Sequence, residues 1–261
     1  MKEEENEKEE RSDHLFYKIV WNLAKFFYPK TTVQGAENIP NEPSIIVGNH
    51  AQVHGAIAGE LYFPGKRFIW CIGEMMHCKE VPDYAYQDFW SMKPKWSKPF
   101  FRLLSYIIAP IASAILSHGD TIGVYHDSRV LKTFKETVAR LQEGYHIIIY
   151  PESHAGGYNQ ILCQFQENFV DAAKLYYRRT GKALSFVPMY LAPRLRLMCF
   201  AAPVAFDPEA PIDQERRRIC QAMMDGITAL AEALPEHTVV PYPNMPKKNY
   251  PTNHAKEVIQ P

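Results

Sequence analysis

Cysteine is scarce in this chain of 261 residues: five, odd in number and scattered at Cys71, Cys78, Cys163, Cys199 and Cys220. The nearest pair, Cys71 and Cys78, does not have a zinc-ligand spacing, so neither a disulfide framework nor a cysteine-based zinc module is expected. Reduced thiols are the reading. Net charge is lacking too, with 29 basic residues against 29 acidic. A general nucleic-acid binder would be strongly basic, and that class is set aside. No uninterrupted apolar run reaches the roughly 18–20 residues that a spanning helix needs. The longest, Leu103 to Ser117, has Pro110 in its middle and Arg102 just ahead. The N-terminus is acidic where an export signal is basic and then apolar, so none is expected. Internal repeats are missing as well.

The neutral total conceals an asymmetry. Residues 1–13 hold seven acids against Lys2, Lys8 and Arg11, which leaves the rest of the chain mildly basic. This charged stretch is expected to be a disordered acidic tail. Residues 14–32 change character. Phe16, Ile19, Val20, Leu23 and Phe27 fall at helical spacing, widened by Trp21, Phe26 and Tyr28 and flanked by Lys18, Lys25 and Lys30. Such a helix either packs on a core or lies in lipid headgroups. Between 89 and 117, Trp90, Trp96, Phe100 and Phe101 interleave with Lys93, Lys95, Lys98 and Arg102 ahead of an apolar run. That mixture suits a protein seated at headgroup level. Together the two segments predict a peripheral or monotopic protein on the cytoplasmic face of a membrane.

From residue 33 to 240 short apolar runs alternate with helical patterns, which predicts one α/β domain with a mixed sheet flanked by helices. Strands are expected at 44–48, 68–72, 146–150, 185–190 and 197–206, the last broken by Pro203. Helices are expected at 129–143, 164–179 and 212–234. Residues 241–261 are Pro-rich and read as an extended tail.

Two strand ends gather ionisable residues, Gly48-Asn49-His50-Ala51-Gln52-Val53-His54-Gly55 and Tyr150-Pro151-Glu152-Ser153-His154. Ligand sites assemble at the carboxyl ends of strands in such sheets. In a third segment, Gly123 to Arg129, an arginine stands at a helix start. That is contrary to the helix dipole and suggests that an anion shares the site.

These segments resemble a family. Residues 33–50 look like the approach to the first motif of the glycerolipid acyltransferases, the 1-acylglycerol-3-phosphate acyltransferase superfamily: Asn-His, then four residues, then Asp. Gly123 to Arg129 resembles the second motif, Tyr150-Pro151-Glu152 the third, and Phe186-Val187-Pro188-Met189-Tyr190 the fourth. The order matches over roughly residues 33–234. The resemblance implies that His50 is a general base acting on an acceptor hydroxyl. That oxygen attacks the thioester of acyl-CoA or acyl-carrier protein, and no cofactor or metal is required. Asn49, His54, Arg129, Glu152 and Ser153 would bind substrate, Arg129 as an anion contact. The acceptor would be a lysophospholipid or a related alcohol.

Two departures stand out. Gly55 occupies the position of the motif Asp, and the gap between the first and third motifs is swollen by the Trp/Lys segment. A catalytically inactive lipid-binding relative is therefore an alternative. The residue types also leave open a metal-dependent hydrolase using His50, His54, Glu152 and His154, although the zinc-protease pattern is missing. Ser153 beside His154 lacks the strained elbow of a serine nucleophile.

Overall fold

The computed structural model describes residues 2–90, 94–157 and 159–254. In chain order the first elements are α1 (Lys2–Phe27), β1 (Thr32–Gln34), β2 (Ser44–Gly48), α2 (Val53–Tyr62), β3 (Arg67–Ile72) and α3 (Val81–Trp90). Then come α4 (Lys98–His118), β4 (Thr121–Val124), α5 (Val130–Gln142), β5 (His146–Ile149), β6 (Glu152–Gly157) and β7 (Cys163–Phe165). The chain continues through α6 (Asp171–Thr180), β8 (Ser185–Ala192), β9 (Leu197–Phe200), β10 (Val204–Ala205) and α7 (Ile212–Glu232).

Two compact units divide this order. The larger comprises Pro29–Ile69 and the chain from Phe134; the smaller comprises the chain up to Tyr28 and Trp70–Thr133. These bounds cut across the expected span 33–240, residues 70–133 clustering with the chain up to Tyr28.

In the larger unit the strands run in the order β1-β9-β8-β2-β5-β3. The neighbours β8, β2, β5 and β3 are mutually parallel, while β9 and β10 pair antiparallel with β8. This is the expected mixed sheet. Its central strands are β-branched and apolar without alternation, as strands covered on both faces must be. Ile45, Ile46, Val47, Ile147, Ile148, Phe186 and Val187 are fully buried. Because β8, β2 and β5 are adjacent and parallel, their carboxyl ends emerge together. That places the segments after Gly48, Ile149 and Ala192 at one edge. α7 lays Ile219, Met223 and Ile227 against the core, as its spacing predicts. Arg216 and Arg218 on this helix are not merely solvated, since they pair with Asp171 and Glu215.

Some expected boundaries change. Residues 164–179 do not form one helix, because Cys163–Phe165 pairs with β6 before α6 begins at Asp171. The tail from 241 is folded back rather than trailing. Thr238 bridges Thr252, and the Val239 N–H donates to the Pro251 carbonyl at 2.9 Å. Asn253 is buried and donates to the Ala231 and Leu234 carbonyls, satisfying acceptors that the end of α7 leaves open. Residues 255–261 lie outside the described ones.

In the smaller unit α1 runs from Lys2, so the stretch expected as a disordered tail is helical up to its junction with the aromatic segment. Glu and Lys, which dominate residues 2–10, are good helix formers. α4 is a continuous helix of 21 residues with Pro110 inside it, about 31 Å long. By length and composition it could cross a membrane, which the interrupted apolar run did not suggest. Its small residues face inward: Ser105 and Ala109 are buried, and Ala109 packs with Val81 and Ala85 of α3. Its large apolar residues face outward. Phe100, Leu103, Tyr106, Ile107 and Ile111 are exposed, and Trp96 just before the helix is 85% exposed. On α1, Phe16, Ile19, Leu23, Phe26 and Phe27 are likewise exposed. Lys93 and the side chains of Trp90 and Lys95 lie outside the described residues.

Candidate functional site

β2 delivers Asn49 and His50 at the sheet edge, and the chain then turns sharply. Ala51 and Gln52 both have positive φ (45° and 56°), a conformation that non-glycine residues rarely adopt. Strain of this kind persists only where surrounding contacts over-determine it, and it clusters at functional sites. Here the pins are numerous. Glu152 Oε1 accepts the His50 N–H at 2.7 Å. The Gly55 N–H donates to the His50 carbonyl at 3.0 Å, and the His54 N–H to the Ala51 carbonyl at 3.1 Å. Gln52 Nε2 donates to Tyr250 Oη at 2.9 Å, and Tyr150 Oη donates to the Gly55 carbonyl at 2.6 Å.

The expected substrate contacts fall into different places. Asn49, only 2% exposed, spends its amide on one residue: Nδ2 donates to the Leu191 carbonyl at 3.0 Å, and Oδ1 accepts the Leu191 N–H at 2.7 Å. It brackets β2 to β8. Glu152, 5% exposed, holds the N–H of His50 with one oxygen and the N–H of Cys163 with the other at 2.9 Å. Burial pushes its carboxyl up to about 7, against the opposing pull of those two N–H groups. It is a clamp on the His50 turn, with both oxygens committed. Ser153 follows on β6 and is half-buried. The His154 side chain lies outside the described residues, among which no three His, Cys, Asp or Glu side chains gather as a metal shell.

His50 is half-buried between two aromatic rings. Tyr150 lies 5.6 Å away, edge to face, and Tyr242 lies 5.3 Å away, tilted by 57°. Tyr150 fills a slot cut by three glycines. A β-carbon on Gly48 or Gly55 would come within 3.0 Å of its ring, and one on Gly59 within 2.8 Å of its hydroxyl oxygen. At Gly55 that β-carbon would also stand 2.5 Å from the His50 carbonyl oxygen. An Asp cannot occupy position 55 in this turn. His54, half-buried in the first turn of α2, has its imidazole pKa lowered, first by burial and then by the charges of Arg194 and Lys247.

Arg129 belongs to the smaller unit. Its Nε lies 3.0 Å from Asp127 Oδ2, its Nη1 lies 3.2 Å from Glu80 Oε1, and Glu74 lies 3.8 Å from Nη2. The guanidinium also covers the Tyr125 ring at 4.2 Å. Hydrogen bonding to Asp127 raises the Arg129 pKa and lowers that of Asp127. At this helix start the carboxylates of Asp127, Glu80 and Glu74 surround the guanidinium.

Sequence reasoning did not find Gln52, Tyr242, Lys247 or Tyr250 as parts of the site. Two tyrosines and a Lys-Lys pair within the Pro-rich tail were the available signal. Tyr150 was legible as a motif residue, but its relation to Gly55 was not.

No protein-family profile matches the chain, and no curated protein does. Among solved structures the chain is similar to the 1-acyl-sn-glycerophosphate acyltransferase PlsC from Thermotoga maritima, at 14% identity and a TM-score of 0.43, covering 84% of this chain and 79% of that one. Within this chain the first and third motif segments follow β2 and β5, and the fourth forms part of β8. The second lies in the smaller unit.

Proposed function

We propose that this protein is an acyltransferase and that His50 is its general base. The observation that carries the reading is the placement of His50: on a strained turn, held by Glu152 and Tyr250 partners, where three adjacent parallel strands end. In this reading the imidazole removes the proton of an acceptor hydroxyl as that oxygen attacks the carbonyl carbon of an acyl thioester. The tetrahedral intermediate then collapses, the carbon–sulfur bond breaks, and the leaving thiolate takes the proton back from the imidazolium. The donor is acyl-CoA or acyl-carrier protein, the acceptor a lysophospholipid or related alcohol, and the chemistry calls on no further cofactor.

Membrane association is part of the proposal. α4 carries its large apolar residues outward and its small ones inward, and α1 exposes an aromatic stripe beside Lys18 and Lys25. Both suit helices lying at a lipid surface. The protein would sit peripherally or monotopically on the cytoplasmic face, where its thiols stay reduced.

The test is incubation with a long-chain acyl-CoA, then with acyl-carrier-protein donors, and a panel of lysolipids and alcohols, following thiol release and acylated product. Wild type should form product, and His50→Ala should lose roughly 10²–10⁴-fold in turnover. Gly55 favours a second reading, a lipid-binding relative without turnover. Binding of lysolipid with no transfer from either donor would decide for that reading.

A further inference from the structure

The loop from Thr238 to Thr252 reaches the His50 turn, and its two ends are tied together. The Thr238–Thr252 bridge and the bond from the Val239 N–H to the Pro251 carbonyl close its neck. Just outside them, the Asn253 N–H donates to the His237 carbonyl at 3.1 Å, and Asn253 Oδ1 accepts the His237 N–H at 2.8 Å. Both residues are buried. The His237 ring is fixed in turn: Nδ1 donates to the Pro235 carbonyl at 2.8 Å, and Nε2 lies 2.9 Å from Tyr190 Oη. Asn253 Nδ2 donates to the Ala231 and Leu234 carbonyls at 2.8 and 3.1 Å. The neck is therefore fastened to β8 and to the end of α7 as well as to itself.

The loop is also stiff. Pro241, Pro243, Pro246 and Pro251 each fix their own φ and restrict the residue before them, and Val239 and Val240 are buried. Two tyrosines carry this stiffness to the site: the Tyr242 ring stands against the His50 imidazole, and Tyr250 Oη meets Gln52 Nε2 at 2.9 Å. The second contact falls on a strained residue. Gln52 has φ 56° and ψ −132° and is the N-cap of α2, yet its side chain makes no cap bond to that helix. An N-cap side chain ordinarily turns back to the helix N–H groups; this one reaches away to Tyr250. Strained backbone relaxes once the contacts that over-determine it are removed.

We propose that Tyr250 is a positioning residue for His50 and that the loop carrying it is a strap fastened by Asn253. The Tyr250 hydroxyl holds Gln52 in its strained conformation, and the turn so held sets where the His50 imidazole stands. As a statement about turnover this rests on the acyltransferase reading; as a statement about the conformation of His50 it stands without it.

The experiment has two readouts on the full chain: the NMR resonances of the His50 imidazole, assigned by their loss in His50→Ala, and kcat and KM with the donors and acceptors used above. Tyr250→Phe removes one oxygen. It should move the His50 resonances and lower kcat roughly threefold to tenfold, with KM little changed. Gln52→Ala should act alike, and the double variant Gln52→Ala/Tyr250→Phe should fall no further than the worse single one, because both remove the same bond. Asn253→Asp keeps the size of the side chain but turns an oxygen towards the Ala231 and Leu234 carbonyls. It should move the same resonances, and Asn253→Ser, which keeps a donor for one carbonyl, should move them less. Ile219→Val in the core of α7 should lower the melting temperature and leave both readouts as in wild type.

His50 resonances that stay in place in Tyr250→Phe overturn the proposal, and so does additive loss in the double variant. A rise in KM with kcat unchanged also overturns it, because Tyr250 would then contact substrate instead of holding the turn. Absence of acyl transfer in wild type would overturn the acyltransferase reading alone, and the resonances would still decide the strap. Transfer in wild type with unchanged kcat in Tyr250→Phe would overturn the strap alone.

Discussion

Tyr150 donates its hydroxyl to the Gly55 carbonyl at 2.6 Å, and its ring stands where a side chain at position 55 would have to begin. The glycine in the place of the motif Asp and the tyrosine after β5 are thus two halves of one arrangement. Gly55→Asp should not restore a family-like pair with His50. A β-carbon 2.5 Å from a backbone oxygen cannot be relieved by a rotamer change, so the substitution should destabilise by about 1–3 kcal/mol or more. Urea unfolding measures it; an unchanged or raised midpoint would show that the turn can open to admit the acid.

Glu152 should make stability pH-dependent in an unusual direction. Its carboxyl stays protonated in the folded protein up to about 7, against an ordinary value of 4.5. A group whose folded pKa is raised contributes its full stabilisation below the unfolded value and loses it as pH rises through the folded one. Wild type should therefore lose on the order of 3 kcal/mol between pH 4 and pH 8 through this group, a loss missing from Glu152→Gln. The gap in unfolding free energy between wild type and variant should narrow as pH rises. A widening gap would mean that the two N–H bonds outweigh burial and keep the carboxylate charged.

Tyr242 should matter through its ring. The contact with the His50 imidazole is tilted at 5.3 Å, and an aromatic pair of this kind contributes about 0.5–1.5 kcal/mol. On the acyltransferase reading, Tyr242→Ala should lower kcat roughly threefold to tenfold, while Tyr242→Phe should keep it. A variant that changes KM alone would make Tyr242 part of the substrate wall rather than a support for the base.

The outward face of α4 should control membrane binding. Phe100 and Ile107 are 63% and 57% exposed, about two helical turns apart on the same stripe. Burying such a side chain in lipid is worth about 1.5–3 kcal/mol, so Phe100→Glu or Ile107→Glu should weaken partitioning onto anionic vesicles at least roughly tenfold. Sedimentation with liposomes at low salt reads this out. A wild-type protein that stays wholly in the supernatant would end the membrane proposal.

Local patterns in the sequence carried most of the fold. The runs at Ser44–Gly48 and Ile147–Ile149, and the spacing of Ile219, Met223 and Ile227, announce their strands and helix because periodicity and side-chain shape act over a few residues. They also placed His50 and Glu152 at strand ends. Whether Glu152 touches a substrate or a backbone could not be read there. The bonds that decide it join residues 102 apart for His50–Glu152, 142 for Asn49–Leu191 and 198 for Gln52–Tyr250. The parallel order of β8, β2 and β5 brings those partners to one edge, and no local spacing encodes that order. The same holds for Gly55, which reads as a lost acid in the chain and as room for Tyr150 in the fold. Composition set the elements and the candidate base; the strand order decided which side chains bind the protein to itself.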